Sequence, residues 1–527
     1  MVSDPRMKTP SKYRFRLALA GLSGFVLALL VAGSLIRAPA QSISGALHGT
    51  VTDLSGAVIP GAAVEVRNLA NAQIRTATTD RRGYYAVTDL APGQYSVTIS
   101  SQGFTTVTWH EVEIEVSQDR QLDNTLSVGN STTVVEVTAA PPMLSAASST
   151  LGQTIGAQET ADLPLNGRQF TQLLLLTPGA SPVEGGQQAF YTISFGAGGL
   201  SPAVNGQLGG ENVFTIDGIL NTHAFIQSWA ISPPPDAIQE FKSQNHIADA
   251  QFGLSSGANV NLVTRNGGEK FHGGAWEFIR NQDLDTANFF DNYSGSPKPQ
   301  YLQNQYGGTL GGPLTLPFYK GRERNTHFFG YYEGFHSSQG FTLYNNVPTT
   351  EELTGDFSDL LTNVQATDPS GAPLVDILGR PIFVGQLYNP YSTRLVNGQM
   401  VRDPIPGNNL SAVMPPDKAA LTYLNALYPA ANYGPGGNNF PNRKDDSDQV
   451  IRSNQFGVGG DHTFSNNDTV SAKFFYSQPD EIGASAVKFG AEVTENHARV
   501  IATSYTHLFS PAFLMTAHYG FSWLYYD

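Results

Sequence analysis

Apolar and polar residues alternate along much of this chain, and turn-forming residues separate the runs. The stretch 45–53 alternates and then turns at Leu54, Ser55 and Gly56. Ile59, Pro60 and Gly61 lead into Val64 and Val66. The turn 79–83 leads into Tyr85 and Val87, and the turn 90–93 into Tyr95, Val97 and Ile99. Short period-two runs with a turn about every dozen residues predict a β-sandwich over 41–127. Residues 128–150 are rich in Ser, Thr, Ala and Pro, as a linker is. Inside them Thr132, Thr133, Val134, Val135, Glu136, Val137, Thr138 and Ala139 form an extended, β-branched run. Such a run is suited to adding as a strand to the edge of another protein's sheet, and equally to pairing within this one.

The pattern changes between 151 and 268. A short apolar helix is predicted over 170–176, followed by Thr177, Pro178 and Gly179. A Gly/Ser/Gln-rich loop over 183–212 precedes a strand, 213–216, that ends in the Asp217-Gly218 turn. Ile238 and Phe241 pack a short segment. After a Gly/Ser turn at 253–257, Val260, Leu262 and Thr264 share one face of a strand. The mixture predicts an α+β unit.

From 269 onward long alternating runs dominate. Phe456, Val458, Gly460, His462 and Phe464 share one face, and after the turn 465–468 Val470, Ala472, Phe474 and Tyr476 continue it. Phe513, Met515, Ala517, Tyr519, Phe521, Trp523 and Tyr525 form another such face. Seven strands are expected, at 270–281, 301–314, 325–337, 450–464, 468–477, 498–508 and 513–526. Apolar-out, polar-in alternation with aromatic ends is the signature of strands that cross a membrane, and alternating short and long connections place the short ones on the periplasmic side. The longest connection, 338–449, is expected as an external loop. The whole chain is therefore expected to be mainly β.

The first forty residues set the compartment. Lys8, Lys12, Arg14 and Arg16 precede an apolar run over 17–32, and Ala38-Pro39-Ala40 precedes Gln41. This predicts a Sec signal peptide over 1–40, with cleavage after Ala40; a single membrane anchor is the other reading, against which the run is short. Without those residues the chain carries 24 basic and 43 acidic residues, a net charge of −19. That charge excludes nucleic acid as a partner. Charged residues make up only 14% of the chain, against about 25% in ordinary soluble proteins. There is no Cys, which removes disulfides, thiolate metal sites and cysteine nucleophiles.

Little else suggests chemistry. Residues 253–257 match G-x-S-x-G, but strand-forming sequence follows where a nucleophile elbow needs a helix. Asp445, Asp446 and Asp448 cluster without the Gly and distal Glu of a calcium loop, and fit a solvated loop tip better. The eleven His are scattered. No catalytic residue, metal ligand or cofactor is assigned, and the chain is not expected to be an enzyme.

The quoted pieces of 41–127 resemble the carboxypeptidase regulatory-like domain, which implies a carbohydrate-binding-like fold serving as a scaffold. The motifs 163–168 (LPLNGR, with Asn166, Gly167 and Arg168) and 214–218 (FTIDG, with Asp217 and Gly218), the order of segments over 235–281, and Val347 and Gly355 with the residues after them resemble TonB-dependent outer-membrane receptors of the Oar-like group. The resemblance implies a plug domain over 151–268 and, over 269–527, the N-terminal part of a transmembrane β-barrel. A complete barrel of this class has about 22 strands, so seven read as part of a longer receptor or as a truncated product. It further implies a Gram-negative-type outer membrane, contact with its lipid, and a TonB box at 132–139. Gated transport of a large solute (a peptide, protein or oligosaccharide) would be energised through TonB. The alternative is a structural or adhesin-like surface protein that transports nothing.

Overall fold

The computed structural model describes residues 43–129, 134–137, 151–182, 201–223, 228–246, 255–287, 289–295, 297–434, 441–465, 467–485, 492–510 and 513–526. The signal-peptide residues, with Ala38, Ala40 and Gln41, lie outside them, as do Thr132, Thr133, Thr138 and Ala139.

Two sheets face each other in the N-terminal sandwich. One contains β1 (Gly45–Asp53), β4 (Tyr84–Leu90), β7 (Asp119–Gln121) and β8 (Asn124–Leu126); β4 and β7 flank β1, and β8 pairs further along it. The other has the order β3-β2-β5-β6-β9, from β2 (Ala63–Asn68), β3 (Ile74–Thr78), β5 (Gly93–Ser100), β6 (Thr106–Ile114) and β9 (Val134–Val137). Alternation is what fills the space between them. Leu47, Val51, Val64, Val66, Val97 and Ile99 all point inward and are buried, while the residues between them stay at least partly solvated. Tyr85 and Tyr95 carry hydroxyls into this core, and each donates to a backbone carbonyl, of Leu122 at 2.7 Å and Ala91 at 2.6 Å. The turn into β4 requires Gly83. Its φ is +71°, and a Cβ there would sit 2.7 Å from the Val51 carbonyl oxygen.

A central unit follows. Its five-stranded sheet has the order β10-β13-β14-β11-β12, from β10 (Leu151–Gly156), β11 (Val213–Ile216), β12 (Ile219–Leu220), β13 (Ile238–His246) and β14 (Asn259–Thr264). The short helix α1 (Ala157–Asp162) follows β10, and a 3₁₀ turn covers Phe170–Leu176. Alternation alone puts one face of β14 in a core, but every residue of the strand is buried. Val260 and Leu262 join an apolar cluster with Phe214, Ile216 and Phe241. On the other face Asn261 Oδ1 accepts a hydrogen bond from Thr215 Oγ1 at 2.7 Å. Asn261 Nδ2 and Asn259 Oδ1 on this face have no hydrogen-bond partner among the described residues, so the polar face of this covered strand is only partly satisfied.

The remaining sheet is a seven-stranded antiparallel meander, here called the wall. It runs β15 (His272–Asn281), β16 (Tyr301–Pro313), β17 (Thr326–Asn345), β18 (Arg443–Ser465), β19 (Asp468–Ile482), β20 (Val493–Ser510) and β21 (Phe513–Tyr526), each paired with its chain neighbour. Its alternation is turned the other way. Phe456, Val458, Phe464, Phe513, Tyr519, Phe521 and Tyr525 are exposed, while Gln455, Glu333, Ser337, Ser477 and Thr506 are buried. The buried side faces the central unit, where Phe329, Tyr331, Phe475 and Val500 complete the apolar cluster.

The long connection departs from expectation at both ends. The β17–β18 ladder runs on from Gln339↔Gln449 to Asn345↔Arg443, so the connection narrows to 346–442. The acidic run at 445–448 therefore is not a loop tip. It lies in β18, where Asp445 pairs with Arg443 and Asp446 accepts from Thr342 Oγ1 at 2.8 Å.

Candidate functional site

Two charged contacts fasten the central unit to the wall, and both grow from short motifs. The first begins at the turn Asn166–Arg168, where Gly167 and Arg168 both have positive φ (62° and 56°). Asn166 is exposed. The turn swings the Arg168 side chain across to the wall. Its guanidinium pairs with Asp236, lies 4.0 Å from Glu333 on β17, and stacks over the rings of Trp276 and Phe278 on β15, 5.2 and 4.7 Å from their centroids. Gln305 Nε2 donates to the Gly167 carbonyl at 3.2 Å, and Gln455 Nε2 to Glu333 at 2.9 Å. A planar cation held between aromatic faces and carboxylates keeps its charge satisfied away from water.

The second contact begins at Asp217-Gly218, the two-residue loop between β11 and β12. Both residues have positive φ (47° and 79°), as a tight hairpin of this length demands. Asp217 accepts from the Thr264 backbone at 3.1 Å and from Thr264 Oγ1 at 2.6 Å. From β19, Lys473 Nζ reaches Asp217 Oδ1 at 3.1 Å and Thr264 Oγ1 at 2.9 Å. The side chains of Lys473 and Asp217 are only 10% and 5% exposed. Removing one member of such a buried pair leaves the other's charge uncompensated.

Lys473 also lines a cavity of about 220 Å³ together with Asp217, Asp461, His327, Arg75 and Asp89. The last two belong to the sandwich, which docks where the wall's short connections lie. Gln73 Nε2 donates to Thr469 Oγ1 at 2.9 Å, Thr506 Oγ1 to Asp89 at 2.8 Å, and the Glu269 backbone to the Ala70 carbonyl at 2.9 Å. A further contact joins sandwich and central unit. The Val116 backbone donates to Glu240, and Lys242 Nζ donates to the carbonyls of Val116 and Ser117, both at 3.2 Å. Burial pushes the Glu240 carboxyl up to about 8; the Val116 hydrogen bond and Lys242 oppose this, and Glu115 and Glu113 add to it.

The motif residues Gly167, Arg168, Asp217 and Gly218 thus meet the wall at two separate points. Of the strand-adding run, Val134–Val137 forms β9 on the sandwich, away from both. Ser255 of the G-x-S-x-G match donates to the backbone carbonyl of Glu211 at 2.8 Å. Lys473, Glu333, Asp236 and Trp276 escaped the sequence reading. Lys473 left a signal there: within 468–477 it is the single charge on the face opposite Phe474 and Tyr476, whereas Glu333 shares its face with Phe329, Tyr331 and Phe335 and left none.

A family model described as an outer membrane beta barrel domain matches residues 263–527, just over half of the sequence. The chain belongs to this outer-membrane β-barrel family. A second model, the carboxypeptidase regulatory-like domain, matches residues 46–127. The TonB-dependent transporter Oar of Myxococcus xanthus is 25% identical over 349 residues, which cover 62% of this chain and 30% of that protein. The chain therefore spans under a third of the relative's length. Among solved structures it is similar to the outer membrane transporter YddB from Escherichia coli (11% identity, 70% of this chain and 38% of the other, TM-score 0.41). It is also similar to a mutant ferric enterobactin receptor from Pseudomonas aeruginosa in complex with enterobactin (11% identity, 70% and 40%, TM-score 0.37). Membership places the chain in the outer membrane.

Proposed function

We propose that the chain is the N-terminal part of a gated outer-membrane transporter, energised by TonB, for a large solute such as a peptide, protein or oligosaccharide. In this reading residues 1–40 are a signal peptide, 41–127 a sandwich on the periplasmic side, 128–150 a linker carrying a TonB box at 132–139, 151–268 the plug, and 269–527 wall strands of the barrel. The observation that carries the reading is the way central unit and wall are joined. Beside a shared apolar cluster, Lys473 reaches from the wall to Asp217, and Arg168 reaches from the central unit to Glu333 and the rings of Trp276 and Phe278; charged contacts of that kind can be exchanged for water when the unit is pulled. The resemblance to Oar adds support for TonB as the source of the pull.

The test needs no knowledge of the solute. In cells making the full receptor, Arg168→Met with Lys473→Met should loosen the central unit and admit vancomycin, an antibiotic that the outer membrane normally excludes. Vancomycin sensitivity that stays unchanged, with parent and variant present in the outer membrane in equal amounts, would sink the gating reading and favour a structural or adhesin-like role.

A further inference from the structure

A small polar box closes where sandwich, central unit and wall meet, and the ladder registers lay out its floor. Thr463, Thr469, Thr506 and Thr516 stand side by side on the inner face of β18 to β21. Asp461, Ser471, Ser504 and His518 form the next row, further from the short connections. The sandwich docks on the first row, through Gln73 to Thr469 and Asp89 to Thr506. The Lys473–Asp217 pair stands behind the second. Both rows line the cavity of about 220 Å³. That volume is room for about seven water molecules at about 30 Å³ each. Two charged groups on this space are short of partners. Arg75, in β3, is 7% exposed. Its Nη1 is buried with no hydrogen-bond partner among the described residues, and its Nη2 lies 3.7 Å from Asp89, beyond hydrogen-bond distance. A buried guanidinium in that state is costly unless something supplies an acceptor. Asp461 has the complementary need. Among the described residues no cation lies within ion-pair distance of it: Lys473 turns to Asp217, and His327 Nε2 lies 3.2 Å from Glu269.

We propose that this cavity binds a small zwitterion, a free α-amino acid with a short polar side chain. Its carboxylate meets Arg75, its ammonium meets Asp461, and its side chain lies among the hydroxyls of Ser471 and Ser504. Charge-assisted hydrogen bonds at both ends are the strong kind. A neutral polyol leaves both protein charges unmatched. An anion satisfies Arg75 but meets Asp461 as a like charge, and a cation does the reverse. Only a ligand carrying both signs suits both ends. Bound there, it touches all three units and holds the sandwich onto the wall. The site is independent of the gating reading, and a cavity of about 220 Å³ is too small for a large solute.

Equilibrium dialysis of the full receptor, purified in detergent, against radiolabelled L-serine tests this. Serine should bind with a Kd of about 0.1 mM or below, and a Kd above about 1 mM would mean that the cavity holds only water, overturning the proposal. Three competitors dissect the charges. Glycerate lacks the ammonium, ethanolamine lacks the carboxylate, and glycerol lacks both. Each should compete at least about ten-fold more weakly than serine. Equal competition by any of them would overturn the zwitterion assignment. Triserine should not compete, and equal competition would mean that the site reads the end of a longer solute, overturning the assignment to a free amino acid. Asp461→Asn keeps the side chain's size and touches neither docking contact. It should weaken serine by about ten-fold or more and turn the preference to glycerate, which then meets Arg75 without a like charge opposite. An unchanged preference would overturn the proposal. Should this variant fail to reach the outer membrane, Ser504→Met fills the cavity from β20, and serine binding retained there would overturn the proposal equally.

Discussion

The sandwich and the wall are written in the same period-two alphabet and folded with opposite sides out. In the sandwich the apolar face of each strand turns inward, to Val64, Val66, Val97 and Ile99, and the polar face meets water. In the wall Phe521 and Tyr519 face outward, while Glu333 and Gln455 are buried on the side that faces the central unit. Alternation sorts residues into two faces. What lies beyond each face decides which one is the inside. A polar interior is also one that charges can cross, and the wall carries Lys473 and Glu333 on its buried side.

The comparison breaks most sharply in the sandwich core. Val97→Asp places a lone carboxylate where no partner exists, at a cost of about 5 kcal/mol or more. Limited proteolysis of the receptor should then remove the sandwich while the wall survives. If the sandwich stays protease-resistant, its interior is wetter than the structure shows. On the buried side of the wall a charge is already present and paired. Lys473→Met strands Asp217 at about 3–5 kcal/mol, read as faster hydrogen exchange in β11 and β14. Adding Asp217→Asn should recover most of the loss, whereas additive effects would mean that the two residues do not interact. The exposed surfaces separate next. Tyr519→Lys puts a cation in lipid and should cost up to about 2–4 kcal/mol, seen as poorer insertion, whereas Leu54→Lys on the sandwich turn should change stability by under about 0.5 kcal/mol. Equal effects would deny that the wall's outer face meets a membrane.

A smaller effect than these losses concerns the joint between the sandwich and the central unit. Docked, Glu240 keeps its proton up to about pH 8, while a free glutamate loses it near 4.5. Docking therefore takes up a proton between those values and weakens as pH rises through them. Between pH 7 and 9 the loss should be about 1 kcal/mol, visible as increasing protease access to residues 115–118. Glu240→Gln should flatten the profile, and a profile that keeps its slope in this variant would assign the titration to another group.

Much of the fold was legible because it is local. Each of the seven wall strands follows from its own alternation and turns, and so do β1, β2, β4 and β5 of the sandwich, whereas β3 and β6 appear only in the assembled sheet. The left-handed turns at Asn166–Arg168 and Asp217-Gly218 announce themselves by Asn-Gly and Asp-Gly. Boundaries failed where the cause was a neighbour: β17 and β18 run well past the aromatic pattern because each pairs with the other, and pairing drew the acidic residues at 445–448 into a strand. The candidate site was half legible. Arg168 and Asp217 stood out through their motifs and Lys473 is a lone charge on its strand face, but Asp236, Glu333 and Trp276 are distant in sequence and ordinary in their local context.

By itself the sequence determined the period of each segment, the places where the chain turns, the export signal it predicts, and which face of every strand is the apolar one. Those properties depend on residues a few positions apart and on backbone sterics that any short peptide shares. Only the tertiary structure decided that β14 is covered on both sides, that Lys473 finds Asp217 across 256 residues, and that β9 closes onto β6. Each of these is settled by what another part of the chain places alongside, because burial and electrostatic pairing are properties of the assembled neighbourhood.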